Sequence, residues 1–194
     1  MHPQEAAVDQ SRRSSIVKIA AAVVIFLAIA VAAALAFVYS GVYDVSATSP
    51  HYDITYRVMK TFRDQSIKRA ARDVKVPELD DPEKVHKGFS NFHSMCVTCH
   101  GSPGNAPTEI GKGLYPEAPS LVDAARRRTP AELFTIIKRG IKMSGMPAWE
   151  PTHSGEEIWA LVAFLNQFPA MPPNEYQEAV EYYAKSGKSG EMHH

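Results

Sequence analysis

Residues 96–100 read Cys96-Val97-Thr98-Cys99-His100, and this C-x-x-C-H stretch decides how the whole chain is interpreted. The pattern is the attachment signature of a c-type haem. Two thiols on one helical turn can each add to a vinyl group of the porphyrin. The next residue, His100, then lies below the ring and offers an imidazole nitrogen to iron. Since the chain has two cysteines in all, the stretch predicts one covalently bound haem c, attached through Cys96 and Cys99.

Three other uses of two closely spaced cysteines compete with this interpretation. A zinc site needs two further ligands, and although His86 and His93 are available, they lack the paired spacing of such sites. A thioredoxin-like redox pair follows a strand in a βαβ context, which this sequence lacks. A disulfide across two intervening residues would leave His100 without a role. A location outside the cytoplasm, where c-type haem is attached, supports the haem interpretation independently.

A second axial ligand is expected downstream of the motif, in a loop. Met143 and Met146 are the candidates, because thioether sulfur is a soft, neutral ligand that favours ferrous iron and raises the reduction potential. Met146 is the predicted ligand, since Gly145 before it lets the backbone approach the ring and Pro147 after it stiffens the loop. Met143 is the alternative ligand, and His153 is a third candidate.

An apolar stretch near the N-terminus predicts a membrane anchor. Residues 19–39 are 21 consecutive residues without a charge or an amide. As a helix they would span roughly 31 Å, the thickness of a bilayer's hydrocarbon core. Three basic residues precede the stretch, whereas the first basic residue after it is Arg57. The positive-inside rule therefore places residues 1–18 in the cytoplasm and residues 40–194 in the periplasm.

The alternative for this segment is a cleaved secretory signal, since Val45-Ser46-Ala47 offers a small-residue cleavage pattern. The apolar region of a signal is normally about 7–15 residues long, which is shorter than this stretch. We therefore expect a retained single-pass anchor. The expected location is the bacterial inner (cytoplasmic) membrane, with the N-terminus in the cytoplasm and the haem-bearing part in the periplasm.

Signals for the ends of helices predict an all-α fold. Asp81 is a cap followed by proline, and it opens a helix that runs to about Met95. Thr129 and Ser154 each begin a capping box, and the helices that follow end near Gly140 and at Phe168. No convincing period-2 strand pattern is present.

Composition divides the chain into five expected parts. The connecting region after the anchor contains Ile54, Val58 and Phe62 at four-residue spacing, which is typical of a short amphipathic helix. A further helix is expected from Glu175 to Lys185. The expected boundaries are a cytoplasmic tail at 1–18, a transmembrane anchor at 19–39, a periplasmic connecting region with a short basic helix at 40–82, a haem domain at 83–168, and a C-terminal helix and tail at 169–194.

The charges are unevenly distributed although they cancel in total. Lys and Arg number 21, as do Asp and Glu, which excludes a strongly cationic nucleic-acid binder. Residues 57–75 carry seven basic and two acidic residues, and residues 126–142 carry six basic and one acidic. The first segment is either a solvated helix face or a docking surface for anionic lipid headgroups or an acidic partner. The second is expected to surround the haem edge and attract an acidic partner.

These motifs, taken together, resemble the class I c-type cytochromes in a membrane-anchored, mono-haem bacterial form. Gly88 and Phe92 occupy the positions before the haem motif where that family has a glycine and an aromatic residue. The resemblance implies that the carbonyl of Pro119 accepts the imidazole N–H of His100, a contact that orients the ligand. It also implies the class I cytochrome c fold, in which Leu161 and Phe164 of the last helix meet the first helix at Gly88 and Phe92.

A haem with histidine and methionine ligands has no open position for a substrate, so single-electron transfer is the expected function. The chain would carry electrons between a quinol-oxidising complex or periplasmic dehydrogenase and a terminal oxidase or reductase. It would do so as a mobile carrier or as the haem subunit of a respiratory complex, without a small-molecule substrate or enzyme activity of its own. The alternative is a haem-based peroxidase or gas-binding sensor whose methionine ligand dissociates.

Overall fold

The computed structural model describes residues 3–185, with side chains described for residues 12–182. The chain divides into two compact units, Met1–Ser49 and Pro50–His194. All named elements among the described residues are helices, and the one pairing of extended backbone there is a bridge between Ser102 and Asn105. The all-α fold class is therefore confirmed. The tail expected after Lys185 lies outside the described residues.

The first unit contains helix α1, which spans Pro3–Tyr39 and so begins well before the apolar stretch. Within it, Arg12–Tyr39 is 28 residues long, and its most apolar 18-residue stretch has a mean hydropathy of 3.0 and is not buried. By length and composition this helix can cross a membrane. It indicates a membrane anchor at the N-terminus, as the apolar stretch predicts.

The second unit is built from short helices connected by proline- and glycine-rich loops. The helix from Asp81–Pro82 to Met95 is found where the cap signals predict it. The helices are α2 (Asp53–Ala71), α3 (Pro82–Met95), α4 (Val97–His100), α5 (Glu109–Lys112), α6 (Leu121–Arg127), α7 (Pro130–Arg139), α8 (Gly155–Gln167), a 3-10 turn (Phe168–Ala170) and α9 (Pro173–Lys185).

The predicted helix caps are present in the structure. The Thr129 hydroxyl accepts from the backbone N–H of Glu132, whose carboxylate accepts from the backbone N–H of Thr129 in return. Ser154 and Glu157 make the same reciprocal pair at the start of α8. Hydrogen bonds from the Ser154 backbone N–H and hydroxyl lower the pKa of Glu157. Both capping boxes are thus confirmed. They provide hydrogen-bond acceptors for backbone N–H groups at the start of each helix, which have no partner within the helix.

Helices α3 and α8 cross at very short distance, and this crossing forms the centre of the second unit. A Cβ placed on Gly88 would lie 1.9 Å from the carbonyl oxygen of Ala160 and 2.9 Å from the Cβ of Phe164. The predicted meeting of Gly88 with the last helix is therefore found, with Ala160 as the residue directly opposite the glycine. Phe92 packs against Phe164 with ring centroids 5.3 Å apart.

An aromatic cluster fills the core beside this crossing. Phe92 and Phe164 are joined by Phe168, whose ring centroid lies 4.8 Å from that of Phe92. Phe89 packs edge-on against Phe164 at 5.5 Å. Tyr176 of α9, which is 1% exposed, closes the cluster from the C-terminal side. Helix α9 is therefore integrated into the core through one large aromatic side chain.

Helix α2 packs against α7 through the C-terminal half of its length. Ile67 and Ala71 are buried there. The guanidinium of Arg128, just before α7, donates to the carboxylate of Asp64 at 2.6 Å. Burial alone would raise the pKa of Asp64, but hydrogen bonds and positive charge from Arg128 and Arg63 together lower it.

Removing this ion pair should weaken the docking of α2 in a pH-dependent way. We expect Asp64→Asn to lower the free energy of unfolding at pH 7 by about 1 kcal/mol, the upper range for partly exposed pairs. Since the pKa of Asp64 is lowered by folding, its contribution is present above its ordinary value of 3.8 and is lost as the pH falls through the folded value. Urea unfolding at pH 7 and about pH 3, followed by circular dichroism, measures both effects. Asp73→Asn, at an exposed carboxylate, is the control; an equal loss in both variants would contradict the prediction.

Candidate haem site

The C-x-x-C-H stretch forms a single helical turn directly after α3. Cys96 is the residue at which α3 ends, and α4 follows from Val97 to His100. The backbone N–H groups of Cys99 and His100 both donate to the carbonyl of Cys96, at 3.2 and 2.9 Å. The side chains of both cysteines are partly buried. The two sulfur atoms are thus carried on one turn, the arrangement that attachment to two vinyl groups requires.

The imidazole of His100 is held by the loop that contains Pro119. Its Nδ1 lies 2.8 Å from the carbonyl oxygen of Pro119. A carbonyl can only accept, so Nδ1 carries the proton and Nε2 carries the lone pair that a metal needs. Burial lowers the pKa of His100, although the hydrogen bond to Pro119 acts in the opposite direction. The neutral imidazole, which is the form that binds iron, is therefore favoured.

Burial also affects the first thiol of the stretch. It raises the pKa of Cys96 to about 12, and the neighbouring Cys99 adds to this effect. The surroundings of Cys96 therefore favour the protonated thiol at neutral pH. This chemistry does not fit a redox-active dithiol pair, which depends on a thiol of lowered pKa.

The turn that carries Cys99 and His100 is hydrogen-bonded to a loop that the sequence patterns did not predict. Thr108 donates to the carbonyl of Thr98 through both its backbone N–H (3.1 Å) and its hydroxyl (2.8 Å). A Cβ on Gly111 would lie 2.7 Å from the carbonyl oxygen of Cys99. The glycine therefore allows α5 to contact the backbone of the haem motif. The sequence signal for this contact was Gly111 itself, in a proline-rich stretch. A glycine alone does not indicate which part of the chain packs against it.

Residues 140–148, which contain both candidate methionines and are called the methionine loop, fold back onto the C-terminal end of α7. Gly140, with a φ of 64°, ends the helix, and the N–H of Ile141 donates to the carbonyl of Met146 at 3.1 Å. After the loop, the N–H groups of Trp149 and Glu150 donate to two carbonyls in the last turn of α7, at 3.2 and 3.1 Å. A Cβ on Gly140 would lie 2.6 Å from the Ala148 nitrogen. The loop is therefore tied to α7 at both of its ends.

The two candidate methionines differ sharply in environment. Met146 is partly buried and packs against the hydrophobic core. Met143 is 83% exposed and has a φ of 59°, at the tip of the turn. A Cβ on Gly145, beside Met146, would lie 2.6 Å from the side chain of Leu114. The loop thus also contacts the segment that leads to Pro119, which supports Met146 over Met143 as the candidate ligand.

The residues present fit a covalently bound haem. His100 lines a cavity of about 220 Å³ beside the attachment turn, and apolar side chains of Leu121, Val122 and Phe168 form part of its wall. The site therefore combines two thiols on one turn, a neutral imidazole and an apolar wall. The partly buried thioether of Met146 belongs to the same compact unit. The two thiols and the imidazole are thus arranged as covalent attachment of a c-type haem requires.

The zinc alternative finds no support in the described residues. No three His, Cys, Asp or Glu side chains among them are grouped so that they could hold a metal ion. His93 has a different contact, since its Nδ1 lies 2.8 Å from the hydroxyl of Tyr176. Burial raises the pKa of that tyrosine to about 12, so its hydroxyl remains protonated. Sequence reasoning missed this contact, because nothing local to α9 indicates which helix it packs against.

Part of the chain matches a known protein family. Residues 83–165 match the family model described as cytochrome C oxidase, cbb3-type, subunit III. The matched segment contains the attachment turn, the Pro119 loop and the methionine loop. No curated protein matches the chain.

Proposed function

We propose, from the match of residues 83–165 to a cytochrome c oxidase subunit model, that these residues form a class I cytochrome c domain with one covalently bound haem c. The chain as a whole would be a membrane-anchored electron-transfer protein. Its iron would have His100 and Met146 as axial ligands, with the haem attached through Cys96 and Cys99. The haem domain would face the periplasm, with the N-terminus in the cytoplasm.

One observation carries the choice of electron transfer over catalysis. Met146 is partly buried in the methionine loop. The N–H of Ile141 at the start of this loop donates to the carbonyl of Met146, and the residues that follow the loop donate to the last turn of α7. A methionine held in this way would stay bound to the iron in the folded protein and would leave no place for a peroxide or a diatomic gas. The bound haem supplies reversible one-electron chemistry. The protein would hold the two axial ligands in place.

The chain's own residues would also set the electron affinity of the site. Pro119, by accepting from Nδ1 of His100 at 2.8 Å, fixes the ring orientation and makes the imidazole a stronger donor. A thioether from Met146 favours the ferrous state and raises the reduction potential. The two contributions act in opposite directions on the potential. Because the acceptor at residue 119 is a backbone carbonyl, which every residue type has, a side-chain substitution removes the Met146 contribution alone.

Carbon monoxide provides the test that separates electron transfer from ligand-binding chemistry. We expect the purified, reduced protein to resist carbon monoxide, because its methionine stays bound. The oxidised protein should show the absorption band from methionine sulfur to ferric iron. Rapid formation of a carbon monoxide adduct, together with absence of that band, would instead identify a peroxidase or gas sensor.

The electron donor and acceptor are proposed by class. A quinol-oxidising complex or a periplasmic dehydrogenase would reduce the haem, and a terminal oxidase or reductase would oxidise it. The matched family is described as a subunit of a cytochrome c oxidase, which supports the proposal that this chain is a haem subunit of a respiratory complex. An anchor would also suit a mobile carrier, because it raises the effective concentration near membrane partners. Purification in mild detergent distinguishes the two, since a subunit brings its complex with it.

Electrostatic attraction of an acidic partner would use the basic residues beside the methionine loop. Part of this charge is neutralised within the fold: Arg128 pairs with Asp64, and Lys138 pairs with Glu150 at 3.0 Å. Lys142 and three further exposed residues, Arg126, Arg127 and Arg139, remain on the surface, although Arg126 also donates to the carbonyl of Pro169. Lys142 lies in the methionine loop itself and is the residue best placed to attract an anion towards the proposed ligand.

The charge of this surface can be measured with small redox probes of opposite sign. We expect oxidation by anionic ferricyanide to slow about tenfold as ionic strength rises from about 0.01 M to about 1 M. Oxidation by a cationic cobalt(III) complex should accelerate. Lys142→Gln should flatten the ferricyanide dependence, whereas Lys84→Gln, at a lysine outside both basic segments, should leave it unchanged. A ferricyanide rate that is flat or rising with salt would contradict a positive surface at the haem edge.

A further inference from the structure

Helix α2 exposes a row of large apolar side chains on its outer side. Ile54, Val58 and Phe62 follow one another at four-residue intervals and are 69, 43 and 68% exposed. Val58 and buried Ile67 are nine residues apart, which at about 100° per residue places them on opposite sides of the helix. The apolar row therefore lies on the side that faces away from α7. It is not part of the core that the same helix helps to form.

The same outer side continues as a strip of positive charge. Arg69 and the cap residue Arg72 continue this side in line with the apolar row, about two and three turns beyond Phe62. Within the described residues, no ion pair engages either guanidinium. Residues 57–75 together carry a net charge of +5, and Asp64 is already paired with Arg128. The outer side of α2 is thus apolar at its N-terminal half and cationic at its C-terminal half.

The position of α2 in the chain limits what can cover this side. Thirteen residues, 40–52, separate the end of α1 from the start of α2. Fully extended, they reach at most about 45 Å. Their reach is shortened by a turn in which the Asp44 carboxylate accepts from the Ser46 backbone N–H at 2.8 Å and from the Ser49 hydroxyl. If α1 is an anchor, the start of α2 would therefore lie within this reach of the bilayer surface.

We propose that the outer side of α2 binds the surface of the bilayer that holds α1. Ile54, Val58 and Phe62 would enter the level of the lipid headgroups, and Arg69 and Arg72 would bind the phosphates of anionic lipids. An apolar row next to cationic residues is the pattern of helices that lie in a membrane interface. This inference rests on the proposed role of α1 as an anchor.

The bilayer fits this surface better than an acidic protein partner does. An acidic partner would complement Arg69 and Arg72 but would leave the three apolar side chains in water. A lipid interface accommodates both halves of the helix at once. The contacts of α2 with α7 are made by Ile67 and Ala71 on the other side, so they remain intact when the outer side is covered. Binding would hold the haem domain in one orientation on the membrane.

Spin labelling of the full-length haem protein tests the proposal. Because haem attachment uses both native cysteines, Phe62→Cys introduces a single free thiol for a nitroxide. Ile110→Cys is the matched control, since Ile110 is 65% exposed and lies on α5, away from both basic segments. Each labelled protein is reconstituted into vesicles of phosphatidylcholine with one third phosphatidylglycerol. Collision with oxygen and with a water-soluble nickel chelate then reports the depth of each label.

We expect the label at residue 62 to be protected from the nickel chelate several-fold relative to the label at 110. This protection should fall in pure phosphatidylcholine, and also in a variant carrying Arg69→Gln and Arg72→Gln. Equal access at 62 and 110 would overturn the proposal, as would protection at 62 that appears only when a partner subunit is added. Protection that does not depend on anionic lipid would overturn the assignment of phosphates to the two arginines.

Two controls keep this test separate from those of the proposed function. Co-flotation of the unlabelled chain with vesicles measures whether α1 is an anchor, and the carbon monoxide experiment measures the haem chemistry. Haem absorption and circular dichroism of each labelled variant show that it is folded. With these in place, failure of the α2 proposal is distinguishable from failure of either the anchor or the electron-transfer assignment.

Discussion

Replacing Met146 with alanine should remove the absorption band from methionine sulfur to ferric iron and lower the reduction potential by on the order of 0.1 V. Axial ligands tune haem potentials over roughly 0.8 V, and loss of a thioether removes a ligand that favours ferrous iron. The open sixth position should also bind carbon monoxide rapidly after reduction. Visible absorption spectra and a spectroelectrochemical titration measure these effects on one sample.

Met143→Ala is the matched control, because the two methionines lie three residues apart in the same loop. Met143 is 83% exposed, so its removal should leave both the band and the potential unchanged. The opposite result, with the band lost in the Met143 variant and kept in the Met146 variant, would reverse the ligand assignment. Retention of the band in both variants would show that neither methionine is needed for it.

Gly88→Ala should be strongly destabilising although alanine normally favours a helix over glycine by about 1 kcal/mol. The new Cβ would lie 1.9 Å from the carbonyl oxygen of Ala160, a backbone atom that cannot rotate away. Helices α3 and α8 would have to separate, and Phe92 and Phe164 would lose part of their contact. We expect a net loss of about 3 kcal/mol in the free energy of unfolding, at the upper end of overpacking effects.

Gly155→Ala supplies the comparison, because this helical glycine has nothing within 4 Å of the position of a new Cβ. It should leave the stability unchanged or raise it slightly. Guanidinium unfolding of both variants, followed by circular dichroism and by haem absorption, measures the difference. Equal stability of the two variants would mean that the α3–α8 crossing can relax without cost.

The features that sequence reasoning predicted well are those encoded within a few neighbouring residues. The cap at Asp81 and the capping boxes at Thr129 and Ser154 each lie within four positions, and the structure contains all three. The C-x-x-C-H turn is equally local. These signals can be identified without knowing the rest of the fold, since each hydrogen bond joins residues within one helical turn.

What sequence reasoning missed depends on which distant segments meet. Ala160 faces Gly88, but nothing in its own neighbourhood distinguishes it from Leu161 as the contact residue. Tyr176 enters the core from α9 and contacts residues more than 80 positions away. The spacing of Ile54, Val58 and Phe62 correctly indicated a helix, yet the structure leaves these residues exposed, because α2 packs through a different side. Periodicity identifies a helix and its faces but not the neighbour of each face.

The hydrogen bonds at the two ends of the methionine loop would limit how often the proposed Met146 ligand leaves the iron. The last carbonyls of a helix have no partner within the helix, and in α7 those of Ile137 and Lys138 are taken by the N–H groups of Trp149 and Glu150. The chain that returns from the loop is therefore also the cap of α7. Swinging the loop outward exposes these carbonyls and unwinds the helix end. Exchange of the proposed Met146 ligand is thereby coupled to local unfolding of α7, and hydrogen exchange at these two amides sets an upper limit on its frequency.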